Sequence, residues 1–455
     1  MINLDEIEAR LADFNSGKRR DALARLAEAI RKGIVKVPRP GRLTNLHYHT
    51  FFSYNAYGYS PSRIAWEARK QGLEMAGTVD FDVLDSLDEF LGAGDLLDLK
   101  VEVGLETRVF IPEYEDRETN SPKEPGVSYY MGTGFVEHPG PGTSAHSVLM
   151  DMRRRAAERN RTMMGKINSY IPEVAIDYER DVLTLTPLGN ATERHMLEAY
   201  DKKARAVFGE GDRLAEFWGR VLGIGTENAR ALIADPMALR ESVRARLMKY
   251  GGIGYAAPEK GAFPLLQDVI KMIRDVRAIP TPTWLDGTSN GERDPRELLR
   301  FHLSQGGEIL QLIPDRNWNV RDPVEREAKL ENLRAVVEAA EELAIPLITG
   351  TEMNRWGQKF VDDLEGPYLA PYNPGFLRGA HVLYAHTLLS RTCGFGLLSE
   401  GATEVFGDDR ARRNDFFAQI GGRPFPSART VDFLRGLAGK RAAQVIDAVS
   451  KRTDW

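Results

Sequence analysis

The sequence of 455 residues predicts an α/β fold with a mostly parallel sheet or barrel. Two observations lead to this prediction. Short apolar runs alternate with amphipathic helical stretches over about residues 43–135, and the alternation resumes over about residues 263–350. Several of the apolar runs also end on an acidic residue, which is typical of barrel enzymes that gather their ligands at the carboxyl ends of strands.

The chain before this alternation has a helical pattern. Residues 1–36 read as two amphipathic helices interrupted near residues 15–17, and we expect them to pack on the main body. Strand, helix, strand, helix and strand are then predicted in that order at residues 43–48, 61–71, 75–79, 84–92 and 101–104. Because parallel strands need a long crossover, usually a helix, this order favours parallel pairing.

Residues from about 144 to 262 interrupt the alternation and have a helical pattern almost throughout. We expect an inserted helical subdomain here, with helices at residues 147–171, 192–208, 213–222 and 237–250. Helix, strand, helix, strand, helix and strand then follow at residues 265–276, 278–283, 295–305, 309–313, 324–343 and 346–349. These elements would complete a barrel.

The region beyond about residue 367 is helical again, with patterns at residues 374–392, 408–418 and 428–451. We interpret it as a cap or a dimerisation element. The predicted organisation is an N-terminal helical extension, a first barrel part, a helical insertion, a second barrel part and a C-terminal helical region at residues 1–42, 43–143, 144–262, 263–366 and 367–455.

Composition and charge are those of an ordinary soluble globular protein. Hydrophobic residues make up 42% and charged residues 28%, enough to bury a sizeable core. The net charge of −5, from 61 basic and 66 acidic residues, disfavours nucleic acid as a partner. Cys393 is the only cysteine, so we expect no intramolecular disulfide and no cysteine-based zinc site, and we interpret it as a small buried hydrophobe.

The N-terminal residues carry acidic side chains within a helical pattern and lack the apolar core and cleavage site of a signal peptide. No apolar run reaches membrane-spanning length. We therefore expect a cytoplasmic protein without a membrane partner.

Histidines and carboxylates at predicted strand ends form a candidate metal site. His47 and His49 lie two residues apart on one strand, so both side chains point to the same face and can bind one cation. Asp80 and Glu106 each end an apolar run about thirty and sixty residues later. Imidazole and carboxylate together suit zinc, manganese or iron.

A further acidic strand end follows the last predicted barrel strand. Glu352 comes directly after the run Thr349–Thr351, and Asn354 lies two residues further on, on the same face. This segment can contribute a ligand to the candidate metal site. The alternative, that its threonines and glutamate merely cap a turn, stays open.

The order of these motifs resembles that of the polymerase and histidinol phosphatase (PHP) family of metal-dependent phosphoesterases. The resemblance covers about residues 43–365. His47 and His49 match the family's His-x-His, residues 79–84 its Thr-Asp-His-Asp run, residues 104–106 its Gly-x-Glu, residues 350–354 its Gly-Ser-Asp-x-His, and residues 190–195 an Arg-His element of members with a helical insert. The chain departs from the family at Asn55, Phe81, Glu352 and Asn354, and at residues 281–286, where an Ala-His-Pro is common.

The resemblance implies a distorted seven-stranded (β/α) TIM-like barrel with one to three divalent metal ions (manganese, zinc or iron). It implies that the principal metal is held by His47, His49, Glu106 and Glu352. A second site would be completed from Asp80, His138, His195 and Asp286. For His138, a purely structural role in its Pro/Gly-rich loop is an equally good interpretation.

The resemblance also implies a reaction, the hydrolysis of a small phosphomonoester or phosphodiester, which includes nucleotides, by metal-activated water. Arg194 would grip two phosphate oxygens, His195 would contact metal or protonate the leaving group, and Asp80 would take part in catalysis. The expected partner is a small phosphorylated substrate, and the C-terminal helices are a candidate homo-oligomer interface.

Two alternatives stay open at this point. Because several family ligands are replaced, the chain can be a catalytically degenerate metal-binding relative with a regulatory or scaffold role. A nuclease is the third possibility, and the net charge together with the lack of an obvious basic stripe disfavours it.

Overall fold

The structure is a computed structural model that describes residues 3–257 and 261–455. Residues 1, 2 and 258–260, which fall in the predicted N-terminal extension and helical insertion, lie outside the described residues. The chain divides into two units. The first contains residues 3–50, Asn55–Leu149 and Pro264–Trp455, and the second contains Phe51–Tyr54 and the described part of Met150–Phe263.

The first unit is built on one seven-stranded sheet in which the strands follow each other in chain order. The strands are β1 Thr44–Tyr48, β2 Met75–Phe81, β3 Lys100–Phe110, β4 Val127–Thr133, β5 Ile279–Trp284, β6 Leu310–Leu312 and β7 Leu347–Thr349. The last strand returns to the first through a parallel bridge between Tyr48 and Glu352. The predicted fold class, a distorted TIM-like barrel, is therefore confirmed.

Strand β4 departs from the predicted pattern because it runs antiparallel to both β3 and β5. The other four pairings, β1 with β2, β2 with β3, β5 with β6 and β6 with β7, are parallel. The cause is the connection from β3 to β4, which contains only the short 3-10 helix Pro112–Tyr114. Parallel crossovers are usually helical, so a connection without such a helix favours an antiparallel return.

The helices of the first unit cover this sheet. They span Leu4–Ala9, Ser16–Arg31, Pro61–Gln71, Leu87–Leu97, Leu266–Asp275, Pro295–Gln305, Asp315–Trp318, Pro323–Glu342, Asn373–Cys393, Glu400–Phe406, Arg410–Gly421, Ala428–Arg435 and Ala442–Lys451. The single helix predicted at 428–451 is therefore two helices, because Gly436 ends the first and Gly439 adopts a φ of +74° in the turn.

The C-terminal helices pack on the sheet of the same unit. A core cluster joins their apolar faces to strand residues Leu46, Met75, Ile279 and Ile348. Helix Asn373–Cys393 comes so close to β7 that a Cβ on Gly379 would lie 1.9 Å from the Leu347 carbonyl oxygen. The apolar faces in this cluster are therefore used within the chain, while an oligomer through these helices stays a prediction.

The second unit is helical. Its helices are Ser144–Tyr170, from Met150 onward, Glu193–Phe208, Asp212–Leu222, Thr226–Ile233 and Pro236–Leu247. They share a separate core that includes Ile167, Met196, Tyr200, Phe217 and Trp218. No helix among residues 3–257 and 261–455 is long and apolar enough to cross a membrane.

Candidate metal centre

Three buried side chains meet at the carboxyl end of the sheet. The Nε2 atoms of His47 and His49 lie 3.4 Å apart, and Glu106 Oε2 lies 3.5 Å from the first and 3.4 Å from the second. Their side chains are at most 6% exposed. Among the described residues these three form a group that can bind a metal ion.

The spacing of these three donor atoms suits a small divalent cation. Donors about 2.0–2.1 Å from a tetrahedral ion lie roughly 3.3–3.4 Å from each other, close to the three separations found here. Two imidazole nitrogens facing each other can share only one hydrogen, whereas a cation accepts both lone pairs. Two histidines and one carboxylate also leave a position open, as catalytic zinc sites do.

Electrostatics keep the carboxylate of this group ionised. Burial alone would raise the pKa of Glu106, but His47 and His49 lower it to about 2. A buried anion in contact with two imidazoles attracts a cation, because its charge is poorly solvated. The charge state of Glu106 is therefore the one that a metal ligand needs.

Glu352 lies beside the three ligands, but its carboxylate binds an arginine. Arg316 Nη2 donates to Glu352 Oε1 at 2.7 Å and to Oε2 at 2.9 Å, and Gln358 Nε2 donates to Oε2 at 3.2 Å. Although burial opposes it, Arg316 and then His47 hold the pKa of Glu352 below its ordinary value. The role of Glu352 as a metal ligand stays a prediction.

Strand register decides which residue of β2 faces this centre. Phe81 pairs with Glu106, and Asp80 pairs with Leu105, so Phe81 shares the face of Glu106. The Phe81 ring stacks on His49 with 4.3 Å between centroids. Asp80 instead accepts hydrogen bonds at 2.8 Å from the Thr50 amide and hydroxyl. Asp80 therefore contacts the loop after β1, and its roles as a metal ligand and in catalysis stay predictions.

Packing at the end of β7 positions His47. Its Nδ1 atom is buried without a hydrogen-bond partner among the described residues, so no such bond orients the ring. The backbone of Gly350 lies against it, and a Cβ at this position would be 2.1 Å from His47 Cβ. The backbone also links the strands, since His49 N donates to Glu352 O at 2.9 Å and Glu352 N donates to His47 O at 2.8 Å.

We expect Gly350→Ala to disturb the centre, because the new methyl group would overlap His47 Cβ. The free energy of unfolding should fall by roughly 1–3 kcal/mol, with a loss of bound metal. Urea denaturation and elemental analysis measure the two effects. Gly375→Ala is the matched control, because that glycine has open space around it in helix Asn373–Cys393, and unchanged stability in both variants would contradict the packing argument.

The other candidates in the first unit have different partners. His138 is exposed, and its Nε2 lies 3.4 Å from Asp88 Oδ2. Asp286 accepts from the Thr288 amide and hydroxyl, and Lys329 Nζ lies 3.1 Å from its second oxygen. Neither residue belongs to the group formed by the three ligands. Their roles in a second metal site stay predictions.

Arg194 and His195 both lie in the second unit, at the start of helix Glu193–Phe208. His195 Nδ1 accepts a hydrogen bond from the Thr192 amide at 3.0 Å, and burial lowers the pKa of His195 to about 4. Arg194 donates to Glu241 and lies over the Tyr54 ring. These contacts explain the local structure, and the phosphate and leaving-group roles of both residues stay predictions.

The second unit also contains a cavity of about 340 Å³. Arg153, Arg154 and Arg161 line it together with Tyr178. All three arginines already have protein acceptors, which are the Leu188 carbonyl, the carboxylates of Asp151 and Glu158, and the carboxylate of Glu179. Hydrogen-bond donors of all three arginines are therefore already used within the unit.

Arg316 is the residue at the centre that sequence reasoning missed. It lies in helix Asp315–Trp318, four residues after the end of β6. The carboxyl ends of all barrel strands except the reversed one meet at one edge, so a cationic residue shortly after β6 is a signal that points to Arg316.

Comparison with known proteins gives similarity of structure only. No family model matches this chain, and no curated protein matches it. The chain is similar to an amidohydrolase from Chromobacterium violaceum, solved with sulfate and no metal, at 14% identity and a TM-score of 0.47, covering 71% of this chain and 92% of the other. It is also similar to a proposed metal-dependent phosphoesterase from Bifidobacterium adolescentis, at 17% identity and a TM-score of 0.44, covering 72% and 94%.

Proposed function

We propose that this chain is a metal-dependent hydrolase of phosphate esters, related to the PHP family. One observation carries the proposal. His47, His49 and Glu106 present three buried donor atoms 3.4–3.5 Å apart at the carboxyl end of a barrel, where such enzymes build their sites. The ordered motifs described above support the same conclusion.

The three grouped residues, Arg316 and Phe81 would have different roles in this reaction. His47, His49 and Glu106 would hold a divalent ion, which when bound supplies Lewis-acid activation of a water molecule and a phosphoryl oxygen. Arg316 brings a positive charge to the same edge through Glu352. Phe81 covers one face of the His49 ring and keeps that side apolar. The resulting site would combine a bound metal ion with an apolar wall formed by Phe81.

Hydrolysis of a panel of phosphate esters tests the proposal. Purified protein loaded with Mn²⁺ or Zn²⁺ should hydrolyse phosphomonoesters or small phosphodiesters, and chelation should remove the activity. Addition of metal after chelation should restore it. Metal-loaded protein that hydrolyses no member of the panel would contradict the proposal.

A second candidate function has an observation in its favour. Phe81 lies level with Glu106, where an imidazole could have been a ligand, and Glu352 binds Arg316. Both features fit a metal-binding relative that has lost hydrolysis and serves a regulatory or scaffold role. This candidate predicts tight metal binding, with hydrolysis no faster than in a variant that lacks His47 and His49.

A further inference from the structure

Arg316 has hydrogen-bonding capacity that the protein leaves unused. Only Nη2 has protein acceptors among the described residues, and both are oxygens of Glu352. The Arg316 side chain is 41% exposed, whereas that of Glu352 is 12% exposed. The Nε and Nη1 groups therefore remain available to a ligand at the open end of the barrel.

The position of Arg316 links it to the metal ligands. Its guanidinium donates to the carboxylate of Glu352. The backbone of Glu352 is hydrogen-bonded to the backbone of His47 and of His49, at 2.8 Å and 2.9 Å, so Arg316 lies at the same edge of the barrel as these two ligands. An anion bound to a metal ion there would be attracted to Arg316 as well.

The apolar wall of the site limits where a second cation could be held. Phe81 stacks on His49 and offers no donor atom. Glu352, the next carboxylate available, already has its charge balanced by Arg316. In two-metal phosphoesterases the second ion stabilises charge on the reacting oxygens. Here a guanidinium is the positive group next to the first site.

We propose that Arg316 binds the phosphoryl group of the substrate at this centre, through Nε or Nη1, in the place of a second metal ion. The inference rests on the proposed function. Nη2 belongs to both edges of the guanidinium fork and is held by Glu352, so Nε or Nη1 would bind one phosphoryl oxygen while another oxygen faces the metal ligands.

Binding of inorganic phosphate to Mn²⁺-loaded protein, measured by calorimetry, tests this proposal without relying on turnover. Arg316→Gln should keep its bound manganese and lose roughly 10–100-fold in phosphate affinity, the effect of a lost charge-assisted pair. Arg296→Gln is the matched control, because Arg296 is 43% exposed and also pairs with a glutamate, Glu342. It should change phosphate affinity less than twofold.

If Arg316→Gln loses manganese, Arg316→Lys decides, because lysine keeps a positive charge beside Glu352 but has only one nitrogen, without the separate Nε and Nη1 donors of arginine. Unchanged phosphate affinity in a metal-loaded Arg316 variant, or no phosphate binding by the wild type, overturns the inference. Failure of the proposed function is distinct: no ester is hydrolysed, whatever the phosphate affinity.

Discussion

Replacement of His47 and His49 together by alanine is expected to abolish metal binding and hydrolysis. The two imidazoles supply two of the three grouped donor atoms, and Glu106 alone cannot hold a divalent ion against water. Bound metal should fall from at least one equivalent per chain to near zero. Hydrolysis should fall at least about 10³-fold, because a metal ion supplies several kcal/mol of transition-state stabilisation.

Elemental analysis of natively purified protein and steady-state kinetics measure these two effects. His146→Ala is the control, since this histidine lies near the start of helix Ser144–Tyr170 and outside the grouped ligands. It should keep full metal content. Retention of metal by the double variant would place the site elsewhere in the chain.

The double variant also leaves Glu106 buried without its two imidazole partners, which can lower stability. Glu106→Gln separates the two causes, because it keeps the shape of the side chain and removes the charge. It should bind metal at least tenfold more weakly while remaining folded by circular dichroism. Metal affinity equal to that of the wild type would remove Glu106 from the ligand set.

The fold was predictable from local patterns because most strands are bounded apolar runs. Strand β3 is longer than predicted, reaching Phe110 rather than residue 104, because its second half pairs with β4. The three polar residues Glu106, Thr107 and Arg108 interrupt the apolar run there, so the local pattern ends before the strand does. Strand β4 was not among the predicted strands, and its reversed direction follows a connection that contains only a short 3-10 helix.

The candidate site was predictable only where its residues lie close together on one strand. His47 and His49 lie on one face by the period of a strand, which is local information. Whether Asp80 or Phe81 faces Glu106 depends on the register between β2 and β3, and a shift of one residue reverses the answer. The Arg316 pairing joins residues 36 positions apart, one after β6 and the other after β7. Such tertiary information is absent from local patterns.

A pH-dependent loss of stability is expected from Glu102, which is fully buried on β3. It lies on the same face as Glu106 but about 13 Å further down the strand, away from the metal ligands. Gly134 N donates to Glu102 Oε2 at 3.1 Å, and Oε1 has no hydrogen-bond partner among the described residues. Burial raises the pKa of Glu102 to about 8, although the Gly134 amide opposes this.

Glu102 is therefore protonated in the folded chain and ionised in the unfolded chain between about pH 4.5 and pH 8. In this range the folded state binds more protons, so the free energy of unfolding decreases as the pH rises. Below about pH 4.5 both states are protonated and the contribution is complete; above about pH 8 it is lost. The total change is on the order of 3–5 kcal/mol.

Glu102→Gln should remove this dependence, because glutamine resembles the protonated side chain at every pH. Urea denaturation of both proteins at pH 5, 6, 7, 8 and 9, at one metal concentration, measures the difference between them. The variant should be about as stable as the wild type at pH 5 and more stable by a few kcal/mol at pH 9. Glu338→Gln, on the exposed side of helix Pro323–Glu342, should show no such trend. A stability difference between Glu102→Gln and wild type that stays constant from pH 5 to 9 would mean that Glu102 has the same charge in the folded and the unfolded chain. We expect the opposite, because Glu102 is buried and has no cationic partner among the described residues to stabilise its charged form.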